Sequence, residues 1–226
     1  MTDVGDSSLL RLLQLTSPAL PLGAFAYSQG LEYAAAVGWV KDEASAIDWL
    51  TGILEGPLSH LDLPLLSRMH AGWKCGDVER VRKDSLLLLA CRESRELEQE
   101  DSHLGHALAR VLVGQGILPA TLWTHAPEAT LAALYALAAA EWHIPLRSAL
   151  LGYIFAWAEA QVGALSRLLP LGQMAAQRVL SRIVAIAPPA AELSMALPDD
   201  DVGALAPSHA IASALHETQY CRLFRS

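Results

Sequence analysis

Apolar side chains recur every three or four residues along most of the chain, which is the spacing of an amphipathic helix. Nowhere do apolar and polar residues alternate strictly over the length of a strand. The pattern therefore predicts an all-α protein of about ten helices. The predicted helices cover residues 8–15, 27–37, 43–54, 61–73, 78–113 with one break inside, 127–142, 146–169, 173–187 and 207–215.

Capping residues and prolines set several of these predicted boundaries. Asp42 and Asp77 are well placed to cap the helices that follow them, because a carboxylate can accept the free N–H groups of a first turn. Pro127 suits the first position of a helix. Pro188-Pro189 is expected to end the helix that starts at residue 173, since proline interrupts the hydrogen-bond ladder.

The helix predicted at 146–169 is apolar on every side. Leu150 and Tyr153 belong to one stripe, whereas Leu151 and Phe155 fall on others. A helix of this kind belongs in the centre of a fold. We therefore predict a single-domain bundle over residues 1–226, with this central helix buried and residues 216–226 forming a C-terminal tail.

Composition narrows the class of protein without changing the predicted fold. Leu and Ala far outnumber Val and Ile, and an apolar share of 53% is ample for one core. A net charge of -8 does not supply the positive field that nucleic acid or an anionic membrane surface needs, so neither is an expected partner. The apolar runs are shorter than the roughly 20 residues of a membrane span, and the first residues do not resemble a secretion signal. We expect a cytoplasmic protein.

The charged side chains are unevenly distributed, with most of them in residues 1–101. A low charge in the remainder is typical of core helices, which composition alone favours. It is also typical of a surface that another protein covers. The residues alone leave both interpretations open.

No residue pattern indicates an enzyme. None of the lysines follows the glycine-rich loop that binds nucleotide phosphates. Ser28 partly matches a nucleophile elbow, but that motif has Gly in place of Ala26 and follows a strand. We interpret Ser28 as a helix-start residue that hydrogen-bonds free backbone N–H groups. A binding or scaffold protein is therefore favoured over a catalyst.

His103 and His106 are the best candidates for metal ligands, although the signal is weak. They lie three residues apart and therefore share a helix face beside the acidic run 96–101. A solvated acidic helix face explains the same residues and is the favoured interpretation. His209 and His216 lie two turns apart on the last predicted helix, too far apart to chelate one ion alone. Three cysteines without CxxC spacing indicate neither disulfides nor a zinc site.

The last eleven residues, from His216 to Ser226, combine aromatic, aliphatic and guanidinium groups, whereas chain ends are usually polar and frayed. Tyr, Phe and Arg are common anchors in protein interfaces, so the tail is a candidate for ordering on a partner. Folding back on its own chain is the equally weighted alternative.

Four segments of the chain resemble the UreF family of urease accessory proteins. These are LPLGAFAYSQGLE at 20–32, ACRESREL at 90–97, PLGQ at 170–173 and HETQYCRLFRS at 216–226. The resemblance spans nearly the whole chain in the family's order. Two positions depart from the usual pattern, because Cys221 stands where Ser is more common and Arg167 where some members have Lys.

The resemblance implies an all-helical, non-enzymatic protein that bridges UreD (also called UreH) and the GTPase UreG. The complex would dock on apo-urease and support nickel insertion, with nickel handled by the complex and no cofactor bound tightly by this chain. The resemblance also implies a homodimer. It favours partner docking by the tail, so deletion of residues 216–226 is expected to abolish UreD binding and to leave the helices intact.

The resemblance assigns functional positions residue by residue. The partner-binding positions are Tyr220, Arg222, Leu223, Phe224, Arg225, His216, Glu217 and Arg167. The structural motif positions are Pro21, Gly23, Tyr27, Ser28, Gly30, Glu32, Pro170, Gly172 and Gln173.

Two rival functions remain open. One is regulation of UreG turnover in trans through an arginine such as Arg222 or Arg147. The other is direct nickel carriage, motivated by His103 and His106.

Overall fold

The computed structural model describes residues 5–226, and within this range the chain forms ten α-helices and no β-strand. This confirms the predicted all-α class. The helices are α1 (Asp6–Leu15), α2 (Leu31–Ala36), α3 (Glu43–Ile53), α4 (Leu63–Cys75), α5 (Val78–Ala90), α6 (Arg95–Gly114), α7 (Leu131–Glu141), α8 (Leu146–Leu168), α9 (Gln173–Ala196) and α10 (Pro207–His216). Short 3-10 turns lie at Ala24–Ala26, Leu118–Trp123 and Asp199–Asp201, and a π-helical segment, Leu54–Asp62, leads into α4.

Helix α7 lies at the centre of the bundle, with α4, α6 and α8 packed against it. Every side chain from Ala132 to Ala139 is buried. The indole N–H of Trp73 on α4 donates to the Ala133 carbonyl at 2.9 Å. The prediction that 146–169 is the buried central helix is therefore wrong. One side of α8 faces solvent and leaves Phe155 40% exposed.

Side-chain caps begin α3, α5 and α6. Asp42 accepts the N–H of Ser45 at 2.9 Å, and the Ser45 hydroxyl accepts the N–H of Asp42 at 3.1 Å, which forms a capping box for α3. Asp77 caps α5 through its own carboxylate. Both predicted caps are confirmed. The break expected within 78–113 falls before Ser94, whose hydroxyl accepts the N–H of Leu97 at 3.1 Å and begins α6.

The predicted helix start at Pro127 is wrong, because α7 begins at Leu131. Thr130 caps this helix, since its hydroxyl accepts the N–H of Ala133 at 3.2 Å. The carboxylate of Asp101 on α6 accepts the N–H of Leu131 at 2.8 Å. A residue distant in the sequence thus satisfies a free N–H group of the first turn, and local propensity does not decide the boundary.

The predicted end of a helix at Pro188-Pro189 is also wrong, because α9 continues to Ala196. The two prolines remove two hydrogen bonds from the helix. Ala187 and Ala190 nevertheless lie buried on either side of them, and this packing compensates for the missing bonds. At 24 residues, α9 is the one described helix long and apolar enough to span a membrane by length and composition, and it packs along α3, α4 and α8.

Helix α2 begins at Leu31 and not at Tyr27, the predicted start, because Gly30 adopts a φ of 77° directly before it. The same glycine lies against α10, where a Cβ atom at Gly30 would be 2.6 Å from the backbone nitrogen of Ser213. No other residue type fits this contact without moving α10. Gly30 therefore sets how closely the last helix approaches α2.

Replacing Gly30 with Ala should destabilise the protein more than the same replacement at Gly38. Both glycines have a left-handed φ, 77° and 80°, but a Cβ atom at Gly38 meets nothing within 4 Å. We expect Gly38→Ala to cost about 1 kcal/mol from backbone strain, and Gly30→Ala to cost roughly 2 kcal/mol more from the clash. Denaturant unfolding measures both values, and equal losses would show that the α2–α10 contact is loose.

Candidate functional site

The C-terminal segment folds back on the helices through buried carboxylates. His216, the last residue of α10, has no exposed surface. Its Nδ1 lies 2.7 Å from Glu96 on α6, and its Nε2 lies 3.1 Å from Glu32 on α2. The imidazole thus joins three helices that are far apart in the sequence.

Glu32 also binds the backbone of the tail. Its two carboxylate oxygens accept the N–H groups of Leu223 and Phe224 at 2.7 and 2.9 Å. The Phe224 ring is 5% exposed and packs in the core. Glu32 therefore fixes the course of the tail at the point where an aromatic side chain enters the protein.

The final residues run beside the segment that precedes α2. The Arg225 N–H donates to the Ala26 carbonyl at 2.8 Å, and the Ser28 N–H donates to the Ser226 carbonyl at 2.7 Å. The Ser28 hydroxyl donates to the same carbonyl and accepts the N–H of Glu32 at 3.3 Å. The interpretation of Ser28 as a helix-start residue is confirmed, and the structure adds its contact with the tail.

The predicted solvated face is wrong for three of the four carboxylates in the acidic run on α6. Glu96, Glu100 and Asp101 are each at least nine-tenths buried, whereas Glu98 is exposed. Glu96 pairs with Arg222 at 2.7 Å, and Asp101 pairs with Arg92 at 2.6 Å. The three buried carboxylates therefore point into the protein, where each meets a donor from another segment.

Arg92 holds a second buried ion pair below the tail. Its guanidinium bridges Asp62, which precedes α4, and Asp101, with N–O distances of 2.6 to 3.2 Å. Arg92 belongs to the motif at 90–97 and lies in the turn between α5 and α6. The short segment between these helices thus positions Arg92 and, one turn later, Glu96.

Glu100 is a buried carboxylate whose two hydrogen-bond donors are both uncharged. Its oxygens accept hydrogen bonds from the Gln29 amide at 2.8 Å and the Ser226 hydroxyl at 2.7 Å. Burial raises the pKa of Glu100 to about 7, because a carboxylate loses its hydration there, and the two hydrogen bonds only partly oppose this effect. The indole of Trp157 fixes the other end of the Gln29 amide at 3.0 Å.

Replacing Glu100 with Gln should remove a pH-dependent cost. The pKa of Glu100 is about 7 in the folded state and 4.5 ordinarily, so between these pH values the folded state holds a proton that the unfolded state has lost. The free energy of unfolding therefore falls as pH rises from 4.5 to 7. Glu100→Gln lacks this loss, so its free energy of unfolding minus that of the wild type should increase by on the order of 2 kcal/mol from pH 5 to pH 8. Denaturant unfolding at both pH values measures the difference, and parallel losses in the two proteins would contradict it.

Part of the C-terminal segment stays on the surface. Tyr220 is fully exposed, and Leu223 is 64% exposed, beside Phe25 at 67%. Arg167 at the end of α8 joins them, since its guanidinium lies 5.8 Å from the Phe224 ring centroid and donates to the Phe25 carbonyl at 3.2 Å. We call the exposed set the tail surface; it comprises Phe25, Arg167, Tyr220, Leu223 and Arg225.

The structure divides the predicted partner-binding positions into two groups. His216 and Phe224 face inward. Glu217 is exposed, and its carboxylate accepts the N–H of Arg95 at 3.1 Å. The fold-back alternative for the tail is therefore the one observed. Because buried side chains belong to the segment, the expectation that its deletion leaves the helices undisturbed does not agree with these contacts.

The motif at 20–32 forms the turn that receives the tail. Pro21 and Gly23 precede the 3-10 turn, and Gly23 adopts a φ of 79°. Tyr27 is buried, and its hydroxyl lies 3.3 Å from Nδ1 of His103. The motif at 170–173 forms the exposed α8–α9 turn with Pro170, Gly172 and Gln173.

The two candidate metal ligands have separate hydrogen-bond partners. His103 contacts Tyr27, whereas Nε2 of His106 lies 2.9 Å from the carbonyl of Ala126. Within residues 5–226, no three His, Cys, Asp or Glu side chains are grouped as metal ligands. His209, the other histidine of α10, is buried beside Trp49, and burial lowers its pKa to about 4.

A cavity of about 510 Å³ lies beneath the tail surface. Its lining includes Glu100 and Asp101 in the interior, and Phe25 and Arg167 at the surface. The acidic interior was not predicted from the sequence. The available signal was that Glu100 and Asp101 lie within one turn of the buried Leu97 and Leu104 on α6.

These features define an all-helical protein whose C-terminal segment is folded onto its own helices and leaves several apolar and arginine side chains exposed. A model of the UreF family matches residues 40–184. Urease accessory protein UreF from Alkalilimnicola ehrlichii is 48% identical over 96% of this chain and 95% of its own length. The protein of the same name from Hahella chejuensis is 42% identical over 97% of this chain and 98% of its own length. The one from Pseudomonas putida strain W619 is 45% identical over 98% of this chain and 99% of its own length.

The chain belongs to the UreF family of urease accessory proteins. The family resemblance noted in the sequence is confirmed.

Proposed function

We propose that this protein is a cytoplasmic scaffold of urease maturation that bridges UreD and the GTPase UreG and supports nickel insertion into apo-urease. The observation that carries the proposal is the tail surface, where Leu223 projects from a backbone fixed by the buried Glu32 carboxylate and Tyr220 lies fully exposed three residues before it. The family membership supplies the process, and the surface supplies the means of docking.

The composition of the tail surface suits a protein partner. Tyr and Arg are over-represented among the residues that contribute most to binding, and here both flank exposed Leu223 and Phe25. The tail is already ordered on its own chain, so a partner would not bear the cost of ordering it. We assign UreD to this surface, and a second copy of the chain and UreG to other faces of the helices.

Regulation of UreG by an arginine in trans is a weaker proposal. Arg222 is 40% exposed, and its guanidinium pairs with the buried Glu96 at 2.7 Å. Arg147 is half exposed and pairs with Glu192 at 3.1 Å. Neither arrangement favours catalysis over a structural role, so we propose a scaffold that leaves the chemistry of GTP hydrolysis to UreG.

Nickel handling belongs, in this proposal, to the complex. The cavity beneath the tail surface is the route we propose for the ion, because it extends to Phe25 and Arg167 at the surface and Glu100 and Glu159 line it. Asp62 and Asp101 also line it, but Arg92 pairs with both. His103 and His106 each have another partner, which favours passage over storage on these histidines. The nickel ion is cargo here, and this chain need not bind it tightly.

Removing two exposed side chains of the tail surface should abolish partner binding without unfolding the protein. We expect Tyr220→Ala combined with Leu223→Ala to reduce co-purification with UreD at least tenfold, since both side chains are potential anchors and neither is part of the core. Thermal unfolding should be unchanged within about 2 °C.

Leu122→Ala provides the matched control for this experiment. Leu122 is 71% exposed on the 3-10 turn that packs on α6, outside the tail surface. This variant should retain UreD. Equal retention of UreD by the control and the double variant would refute the assignment of the tail surface, whereas loss in both would indicate a much larger interface.

A further inference from the structure

The contact between His216 and the two carboxylates requires one more proton than a neutral imidazole provides. A neutral imidazole has one N–H donor and one nitrogen lone pair. Both ring nitrogens of His216 face carboxylate oxygens, at 2.7 Å from Glu96 and 3.1 Å from Glu32. Either both nitrogens carry a proton and donate, or one carboxyl group holds the extra proton and donates to the imidazole.

Without that extra proton the contact becomes repulsive. A lone pair would then face a carboxylate oxygen at hydrogen-bond distance, at a histidine with no exposed surface, where water cannot separate the two groups. The charged groups on the packed elements do not remove this requirement. Arg222 of the tail neutralises only one carboxylate, that of Glu96. Glu32 is occupied by two backbone N–H groups of the tail, which are neutral donors.

The other titratable groups near α10 have their own partners. Glu100 lies one turn after Glu96 on α6 and binds Gln29 and Ser226. His209 lies two turns before His216 on the same helix and is kept neutral by burial. Neither of these side chains is hydrogen-bonded to His216, so the extra proton belongs to Glu32, His216 and Glu96.

We propose that Glu32, His216 and Glu96 form a proton-dependent latch for the C-terminal tail. With the proton bound, the latch holds α10 and residues 217–226 on α2 and α6, and the tail surface is formed. Loss of the proton at alkaline pH opens the latch and frees the N–H groups of Leu223 and Phe224. The side chains of the tail surface then no longer lie together.

The sign of the pH effect follows from the number of bound protons. The closed state requires one proton more than the open state, in which water solvates all three groups, so rising pH favours opening. The consequence for partner binding rests on the proposed function. An experiment on the chain alone therefore distinguishes a failure of the latch from a failure of that proposal.

Hydrogen exchange of the Leu223 and Phe224 amides measures the latch directly. Their protection factors, corrected for the intrinsic pH dependence of exchange, should fall with rising pH above the neutral range, toward a limit of about tenfold per pH unit for one linked proton. The amide of Leu134 on α7 bonds to Thr130 in the core and provides the internal reference, which should not show this local loss. Unchanged protection of the two tail amides from pH 6 to pH 9 would overturn the proposal.

Three variants separate the latch from other titrations. His216→Gln replaces the imidazole with a group that does not titrate, so the tail amides should be weakly protected at every pH and show no slope. His125→Gln, at an exposed histidine, should retain the wild-type slope.

Glu100→Gln should retain the slope above pH 8, where Glu100, with a folded pKa of about 7, has lost its proton whether or not the tail is bound. If the slope disappears in Glu100→Gln, the proton belongs to Glu100 and the proposal is wrong. This comparison remains decisive if His216→Gln does not fold.

Discussion

The buried carboxylates of Glu32, Glu96 and Glu100 are the constraint on which the rest of the structure depends. An ionised carboxyl group inside a protein is costly unless donors replace its water. Here the donors are Leu223, Phe224, Arg222, His216 and Ser226, all from the last eleven residues, together with Gln29. The tail is therefore a structural necessity for α2 and α6, and its fixed course follows from their side chains.

This dependence explains why segments far apart in the sequence form one site. Gly30 permits the close approach of α10, and the His216 imidazole then bridges α2 and α6. Arg167, at the end of α8, covers the Phe224 ring from outside. The backbone of the exposed Leu223 and Arg225 is held by hydrogen bonds to Glu32 and Ala26. A surface that is ordered before binding is the physical basis of the scaffold role proposed for this chain.

The sequence predicted correctly the starts of α3 and α5, which are set by hydrogen bonds between residues three positions apart. Asp42 and Asp77 are recognisable caps because their partners lie three residues away. The start of α7 was not predicted because Asp101, on another helix, accepts the N–H of Leu131. The continuation of α9 through Pro188 was not predicted because packing outweighs the lost hydrogen bonds. The burial of Glu96 could not be read from its acidic neighbours, since its main partner, His216, lies 120 residues away. The composition of the last eleven residues and the family resemblance both pointed to the tail, but neither showed which side chains face inward.

The tail completes the fold, and the free energy of unfolding of a chain ending at His216, measured by denaturant against the full chain, tests this. Truncation should lower that free energy by more than about 3 kcal/mol, because a buried phenylalanine is removed and Glu32 loses two donors. A truncated protein that unfolds with the same free energy and the same denaturant dependence would contradict it.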